Sequence, residues 1–321
     1  MAVLVSIGIV AWNSDGDLAR CLDGVRAQHH QPIELLVGDN ASTDGTRALL
    51  EARTTAVERR YFPENRGFSA AHNALIHESR GAYYLALNPD VVLDPGFVGA
   101  LVVALEGAPR AGSATGKLRR ASPDGVIDST GIVMHRSQRH TDRGAGEPDR
   151  GQYDAPEPVF GVSGAAGFYR RAMLDDVAID GEVFDEDFFA YREDADLAWR
   201  AQLLGWDALY VPAATATHVR RVTPERRGAL PAAINRYGVR NRFLLRVKNQ
   251  SLGLAWRYAW PGFRRDAQVI GYVLLREWSS IPGLLDVGKL LPRMLAWRRH
   301  VLGTRRRQSA DLAPWFRRAG G

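Results

Sequence analysis

A short buried strand that ends at a carboxylate constrains this chain more than any other stretch. Residues 84–87 form an apolar run that is typical of a central strand covered on both faces. Asn88-Pro89 then ends the strand, because proline has no backbone N–H to donate to a sheet. Asp90 is therefore delivered at the carboxyl end of a strand, where open α/β sheets bind ligands. A carboxylate there suits a hard cation, although a turn without function also favours Asn, Pro and Asp.

Three strand–helix units precede this strand. The predicted strands cover residues 3–11, 33–38 and 57–62, and each is followed by a segment with helical spacing. Alternating strands and helices predict a parallel, doubly wound α/β sheet. Later in the chain the sequence predicts strands over 113–118, 126–134 and 206–211, and a polar, lid-like loop over 135–158.

Polar residues follow the second and third strands. Asp39-Asn40-Ala41-Ser42-Thr43-Asp44 can hydrogen-bond a nucleoside, or can form an ordinary polar loop that caps the next helix. Asn65-Arg66-Gly67 follows the third strand. Asn73 lies on the next helix, where it either faces a site or packs against a neighbouring loop.

A third polar stretch, Glu193-Asp194-Ala195-Asp196, opens a helix. Carboxylates in a first helical turn are favoured by the helix dipole, so their presence does not by itself require a function. Asp194 and Asp196 point in different directions on a helix, and we do not expect them to do the same job. His218 follows the last predicted strand.

The charge of the chain is unevenly distributed. Residues 220–321 hold 22 Lys and Arg against 5 Asp and Glu, whereas the preceding residues carry a net charge of −11. Five of the eight tryptophans also lie after residue 255. Aromatic residues among arginines suit an anionic membrane surface, with an oligomer interface as the alternative. No nucleic-acid-binding module is recognisable, so we expect no nucleic acid partner.

Taken in order, these stretches resemble the family 2 inverting glycosyltransferases, which have the GT-A fold, a Rossmann-like mixed α/β sheet that binds nucleotide sugars. Within that family they look most like the bacterial rhamnosyltransferase-like group that builds surface polysaccharides. The matching segments are residues 10–13, 39–46, 65–68 with Asn73, 87–90 and 188–197 with His218.

The resemblance implies a role for each matching residue. Asp194, with Glu193 beside it, matches the base that takes a proton from the acceptor hydroxyl. Asp90 and His218 match positions that hold Mg²⁺ or Mn²⁺, a Lewis acid on the donor diphosphate. Asn88 stands where many members have Asp, which weakens the direct metal sphere. The residues expected to bind the nucleotide sugar are Ala11, Asn13, Asp39, Asn40, Asp44, Asn65, Gly67, Asn73 and Asn88.

We therefore predict an inverting glycosyltransferase that moves a sugar, with rhamnose as a candidate, from a nucleoside-diphosphate sugar to a glycan or polyprenyl-linked acceptor in cell-surface polysaccharide synthesis. Residues 1–221 would form the catalytic domain and residues 222–321 a basic helical extension. The first residues lack a signal-peptide pattern and no apolar run reaches about 18 residues, so we expect a cytoplasmic protein that is peripheral on the inner face of the membrane. The alternatives are a nucleotidyltransferase, which would not need the Glu193-Asp194 helix, and a non-catalytic nucleotide- or glycan-binding scaffold, against which Asp194 argues.

Overall fold

The computed structural model describes residues 2–54, 58–122, 124–220 and 232–317. Its first part repeats a strand followed by a helix, as the sequence predicts. The four strands of this part pair in parallel in the order β4-β1-β2-β3, so their carboxyl ends share one edge of the sheet. The elements are β1 (Val5–Ala11), α1 (Leu18–Arg26), β2 (Ile33–Asp39), α2 (Thr46–Arg53), β3 (Glu58–Tyr61), α3 (Gly67–Glu78) and β4 (Tyr83–Leu87).

The next part of the chain turns this parallel sheet into a mixed one. It contributes β5 (Val91–Leu93), α4 (Phe97–Glu106), β6 (Ala111–Arg120), β7 (Ile127–Ser129), β8 (Ile132–His135), β9 (His140–Asp142), β10 (Glu157–Val159), β11 (Ala166–Arg170), α5 (Arg171–Val177), α6 (Glu193–Leu203) and β12 (Asp207–His218). β11 runs antiparallel to β4 and β6, whereas β12 runs parallel to β6. Along the sheet the order is β10-β12-β6-β11-β4-β1-β2-β3. A mixed α/β sheet of this kind confirms the predicted fold class.

Apolar layers cover both faces of the sheet. On one face Ile7 of β1 is fully buried with Leu22 of α1 and Leu101 of α4. On the other face Tyr84 of β4 is buried with Leu75 of α3 and Leu197 of α6. Because β4 is covered on both sides, all its side chains are buried, and this explains its uninterrupted apolar run.

Two strand predictions differ from the structure. The strand expected over 126–134 is divided into β7 and β8 at Gly131, whose φ of +117° suits only glycine. The last strand, expected over 206–211, continues as β12 to His218. His218 is therefore the final residue of a strand, where pairing with both β5 and β6 fixes its backbone.

The C-terminal part is helical, as predicted, and packs on the sheet domain. It consists of α7 (Ala232–Asn249), α8 (Leu252–Arg257), α9 (Ala259–Arg276), α10 (Ile281–Thr304), α11 (Ser309–Leu312) and β13 (Phe316–Arg317). β13 completes a small sheet with β8 and β9. Leu245 and Trp297 of this part share an apolar cluster with Phe188 and Trp199. The predicted domain boundary after residue 221 falls in 221–231, outside the described residues. Within the described ranges, none of the helices is both long and apolar enough to cross a membrane.

A buried lysine joins α7 to the sheet domain. The Nζ atom of Lys248 lies 2.5 Å from Oδ2 of Asp185 and 2.8 Å from Oδ2 of Asp196, and all three side chains are fully buried. Asp196 also accepts hydrogen bonds from Arg200 at 3.0 Å and from Asn249 at 2.7 Å. Since buried charges are tolerated only when they are paired, α7 supplies a cation that the α6 region requires.

Candidate active site

A cleft of about 1030 Å³ opens at the carboxyl edge of the sheet. The strand ends supply Asn88, Asp90 and His218 to its wall, and the start of α6 supplies Glu193 and Asp194. Residues of α7 and α9 form another part of the wall. The structure therefore brings the predicted catalytic and metal-binding residues together in one cleft.

Asp194 is a partly exposed carboxylate in the first turn of α6. Its Oδ2 accepts a hydrogen bond from the backbone N–H of Gly164 at 3.1 Å, and its Oδ1 accepts one from Ala195 at 2.7 Å. Burial raises the pKa of Asp194 to about 6 even though these two hydrogen bonds favour the charged form. Such a carboxylate is largely charged at pH 7 and is still basic enough to accept a proton.

The neighbouring Glu193 is a buried acid whose pKa is raised. Its side chain is buried, and its Oε2 has no hydrogen-bond partner within the described residues. Burial and the negative charge of Asp194 raise the pKa of Glu193 well above its usual value. Glu193 thus lines the cleft beside Asp194, in surroundings that disfavour its charged form.

Asp196, unlike Asp194, forms part of a buried ion-pair cluster. It is fully buried and is held by Lys248, Arg200 and Asn249. Burial alone would raise the pKa of Asp196, but Lys248 and Arg200 lower it. A carboxylate surrounded by permanent cations is a poor proton acceptor, so Asp196 is not the base.

His218 links two carboxylates on the opposite part of the wall. Its Nε2 lies 3.3 Å from Oδ1 of Asp90, and its Nδ1 lies 2.7 Å from Oδ2 of the buried Asp128. Burial lowers the pKa of His218, but the hydrogen bonds with Asp128 and Asp90 outweigh it and raise the value to about 9. Arg220 donates to Asp128 at 2.8 Å and to Asp142 at 3.0 Å, which balances the remaining charge.

These residues fit a divalent ion that the substrate helps to bind. In the described part of the chain, no group of three or more His, Cys, Asp or Glu is arranged to hold a metal. Asp90 and His218 are nevertheless two converging ligands, and a carboxylate on the second ring nitrogen is common for metal-bound histidine. Mg²⁺ and Mn²⁺ in nucleotide sites often take one or two protein ligands and complete their shell with phosphate oxygens and water. Binding the ion would require His218 to lose its proton.

The segment before Asp194 has an unusual backbone. Phe189, Tyr191 and Arg192 all have positive φ values, between 62° and 75°, a region that residues other than glycine seldom adopt. Asn241 of α7 holds this segment by donating to the carbonyls of Phe188, Ala190 and Tyr191 at 2.8–2.9 Å. The backbone that carries the candidate base is therefore fixed by a residue of the C-terminal part.

The start of α3 holds the same segment from another side. The backbone N–H groups of Phe68 and Ser69 donate to the carbonyl of Phe189 at 2.6 Å and 3.2 Å. A Cβ atom on Gly67 would lie 2.4 Å from that carbonyl oxygen, and Gly67 has a φ of +73°. Gly67 therefore has a structural reason to be glycine, which is close approach to the segment that leads to Asp194.

Several of the residues predicted to bind the nucleotide lie at the ends of β1 and β2, and they are not among the residues that line the cleft. The carbonyl of Ala11 accepts from the backbone of Asn40 at 2.8 Å, and Oδ1 of Asp39 accepts from Ser42 at 3.1 Å. Oδ1 of Asn13 accepts from Thr43 at 2.8 Å. These contacts order the two loops against each other.

The remaining predicted residues of this group use their side chains within the protein. Asn40 donates to Oδ1 of Asn65 at 2.9 Å and to the carbonyl of Gly67 at 3.1 Å. Asp44 accepts from the backbone N–H of Thr46 at 3.0 Å at the start of α2.

Asn73 is not brought to the cleft. Its Nδ2 donates to the carbonyl of Phe184 at 2.7 Å, and its Oδ1 accepts from the backbone N–H of Phe184 at 2.9 Å. It packs against a neighbouring loop, which is the second of the two possibilities that the sequence left open. That loop leads to α6, so Asn73 positions the segment before Glu193.

Sequence reasoning missed Asp128, Asp142 and Asn241. Asp128 is the charged residue of the predicted strand over 126–134, and this charge was the available signal. Asp142 ends β9, inside the segment 135–158 that the sequence predicts as a loop; that prediction is wrong at β9 and at the start of β10. Asn241 stands in Arg240-Asn241-Arg242, a polar group within a helical pattern, but its contacts with residues about 50 positions earlier have no local signature.

Comparisons with known proteins agree with this geometry. The model of the family described as Glycosyl transferase family 2 matches residues 6–177. An N-acetylglucosaminyl-diphospho-decaprenol L-rhamnosyltransferase of Mycobacterium tuberculosis is 30% identical over 241 residues, which cover 68% of this chain and 76% of that protein.

Two solved structures share the fold. S. aureus TarS 1-349 in complex with UDP-GlcNAc has a TM-score of 0.58 at 16% identity, covering 93% of this chain and 88% of that one. The mannosyltransferase PcManGT from Pyrobaculum calidifontis, in complex with GDP-Man and Mn²⁺, has a TM-score of 0.54 at 15% identity, covering 95% of this chain and 86% of that one. At these identities the likeness concerns the fold alone, and it agrees with the predicted class.

Proposed function

This chain belongs to glycosyl transferase family 2 and is a glycosyltransferase, and on that premise we propose that it transfers a sugar, with inversion, from a nucleoside-diphosphate donor to a lipid-linked acceptor. The observation that carries the proposal is Asp194, a partly exposed carboxylate with a raised pKa in the same cleft as Asp90 and His218. By its name, the M. tuberculosis relative transfers L-rhamnose to N-acetylglucosaminyl-diphospho-decaprenol. We therefore assign L-rhamnose as the donor sugar and a polyprenyl-diphospho-N-acetylglucosamine as the acceptor, in cell-surface polysaccharide synthesis.

In the proposed reaction Asp194 takes the proton of the acceptor hydroxyl as that oxygen bonds to the anomeric carbon. The bond between this carbon and the diphosphate oxygen breaks, and its electron pair leaves with the nucleoside diphosphate. Attack from the face opposite the leaving group inverts the anomeric configuration. The raised pKa of Glu193 favours its neutral form, and a neutral Glu193 would add no second negative charge beside Asp194.

Asp90 and His218 are proposed to hold Mg²⁺ or Mn²⁺, and Asp128 orients His218 through Nδ1. When bound, the ion would act as a Lewis acid on the departing diphosphate. Arg220 lines the same wall and adds a permanent positive charge to it. Asn88 lies in the cleft without supplying a carboxylate, so Asp90 would be the only carboxylate ligand from this strand end.

We assign the nucleoside to the loops after β1 and β2. Asp39 follows a parallel strand at the shared carboxyl edge, and such an acid can accept hydrogen bonds from a base or a ribose. Ala11 offers its backbone beside it. Two contacts between these loops support the assignment, because the backbone N–H of Asn40 donates to the carbonyl of Ala11 and that of Thr43 donates to Oδ1 of Asn13.

We further propose that residues 222–321 form a membrane-associated extension of a catalytic domain over residues 1–221. Trp256, Trp260 and Trp278 are exposed by 87%, 71% and 71% of their surface, in a part of the chain rich in arginine. Trp297 does not share this role, since it is buried against Lys248. Exposed tryptophans among arginines suit the headgroup layer of an anionic bilayer, and they support the proposal that the enzyme is peripheral on the inner face of the membrane. An interface between copies of the chain is the alternative occupant of this surface.

The experiment that tests the function is a screen of nucleoside-diphosphate sugars with a short polyprenyl-diphospho-N-acetylglucosamine acceptor. We expect release of the nucleoside diphosphate that depends on the acceptor and is strongest with an L-rhamnose donor and Mg²⁺ or Mn²⁺. Acceptor-dependent release with a different sugar would correct the donor assignment. Absence of release with every donor would favour a non-catalytic scaffold. In a separate reaction with a nucleoside triphosphate and a sugar phosphate, formation of a nucleoside-diphosphate sugar and pyrophosphate would favour a nucleotidyltransferase.

A further inference from the structure

We propose that Arg139 and Arg265 form a second anion site in the cleft, which binds the diphosphate of a lipid-linked acceptor. This inference rests on the proposed function, and it identifies the part of the cleft that receives the acceptor. Arg139 lies just before β9, and Arg265 lies on α9. Both line the cleft that also contains Asp194.

These two arginines carry charge that the protein leaves uncompensated. Across the described residues, neither guanidinium forms an ion pair with a carboxylate, and the buried Nε of Arg265 has no hydrogen-bond partner. The one polar contact of Arg265 is a 3.5 Å donation to the neutral Gln268. Burial and the charge of Arg265 lower the pKa of Arg139, so the two cations repel each other. An anion between them would remove this repulsion.

Two other arginines of the cleft, Arg220 and Arg242, differ in this respect. Arg242 donates to Asp266 at 3.0 Å, and Arg220 donates to Asp128 and Asp142. Their charges are therefore already balanced by carboxylates. Arg139 and Arg265 are the pair that a doubly charged ligand would complement.

The cleft is large for a site that binds a single ligand. A volume of about 1030 Å³ lies at the upper limit of sites that bind one drug-sized molecule. We have assigned the donor diphosphate to the wall formed by Asp90 and His218. A second diphosphate on Arg139 and Arg265 would keep the acceptor sugar inside the cleft that contains Asp194.

Helix α9 also indicates what kind of molecule carries this diphosphate. On one side of the helix Arg265, Val269 and Val273 line the cleft. Elsewhere on the same helix, Phe263 and Leu274 are 64% and 51% exposed. A ligand with an anionic head and a long apolar chain can use both surfaces, because its head would contact Arg265 while its chain leaves over the exposed apolar residues. Inorganic phosphate or a nucleotide would contact only the side of α9 that lines the cleft.

The test is binding of farnesyl diphosphate to the full chain, measured by titration calorimetry without any donor. We expect the double variant Arg139→Gln/Arg265→Gln to bind at least about tenfold more weakly than wild type, since each lost contact is a charge-assisted hydrogen bond. The matched control is Arg264→Gln/Arg299→Gln, which removes the same charge from exposed positions outside the cleft. It should bind within about twofold of wild type.

Three results would overturn the proposal. The first is equal affinity of the two double variants, and the second is a wild type that does not bind farnesyl diphosphate. The third is a loss of binding in Asp90→Ala as large as that in the cleft double variant, which would place the diphosphate at the donor wall. Binding to phosphatidylglycerol vesicles distinguishes a bulk lipid headgroup from the acceptor diphosphate. If Arg139→Gln/Arg265→Gln weakens binding to these vesicles and leaves the affinity for farnesyl diphosphate unchanged, the acceptor site is contradicted. This binding measurement uses no sugar donor and does not depend on sugar transfer. A failure of the proposed function would therefore appear only in the transfer screen.

Discussion

The substitution Lys248→Met tests whether the C-terminal helices are part of the folded catalytic unit. It removes the cation shared by Asp185 and Asp196, which are both fully buried. Asp196 keeps Arg200 and Asn249, whereas Asp185 keeps the backbone N–H of Asp187 at 3.1 Å and a distant Arg293 at 3.9 Å. Removing one partner of a buried ion pair costs about 3–5 kcal/mol, and methionine matches the length of the lost chain without its charge.

For a chain of this size each kcal/mol shifts the melting temperature by roughly 2–4 °C. We therefore expect Lys248→Met to show a single thermal transition, measured by circular dichroism, about 10 °C below that of wild type. The control is Lys289→Met, in which the lysine is 75% exposed and lies 3.6 Å from Asp286. A surface pair of this kind contributes about 0–1 kcal/mol, so its transition should shift by about 4 °C or less. Equal transitions for the two variants would refute the reasoning that α7 supplies a required buried charge.

Further predictions concern the site and the membrane. At saturating Mn²⁺, which keeps the proposed metal site filled at each pH, turnover should rise through about pH 6 and then level off, because protonation of Asp194, whose pKa burial raises to about 6, removes the base at lower pH. A flat pH–rate profile between pH 5 and 8 would contradict this assignment. Asp90→Ala should weaken binding of the nucleotide sugar in the presence of Mn²⁺, and full activity in excess chelator would contradict the metal site. Trp256→Ala/Trp278→Ala should reduce co-sedimentation with anionic vesicles relative to wild type, since both side chains are exposed; unchanged sedimentation would favour an oligomer interface.

The sheet was predictable from the sequence because its signals are local. The apolar run of β4, the Asn88-Pro89 break and the acidic start of α6 each identify an element from neighbouring residues. The order in which the motifs occur then identified the family. Asp194, Asp90 and His218 could be singled out for the same reason, since each follows or opens a recognisable element.

The supports of the site could not be predicted in this way. Asn241 and Lys248 act on residues about 50 to 60 positions earlier, and helical periodicity does not reveal such contacts. Nor does sequence spacing tell that Asn73 packs against Phe184 instead of facing the cleft. The change of net charge near residue 220 suggested a separate extension, and it concealed the fact that α7 and α9 form part of the cleft wall.

The substitution Asp194→Asn tests the central claim most directly, by transfer at saturating donor and acceptor with donor affinity measured in parallel. Our account predicts that transfer falls by roughly 10²–10⁴-fold, because the amide cannot accept the proton of the acceptor hydroxyl. Donor affinity should stay near that of wild type, since Asp194 is assigned no contact with the nucleotide. Transfer within a few-fold of wild type would contradict the account and would assign the base to another residue.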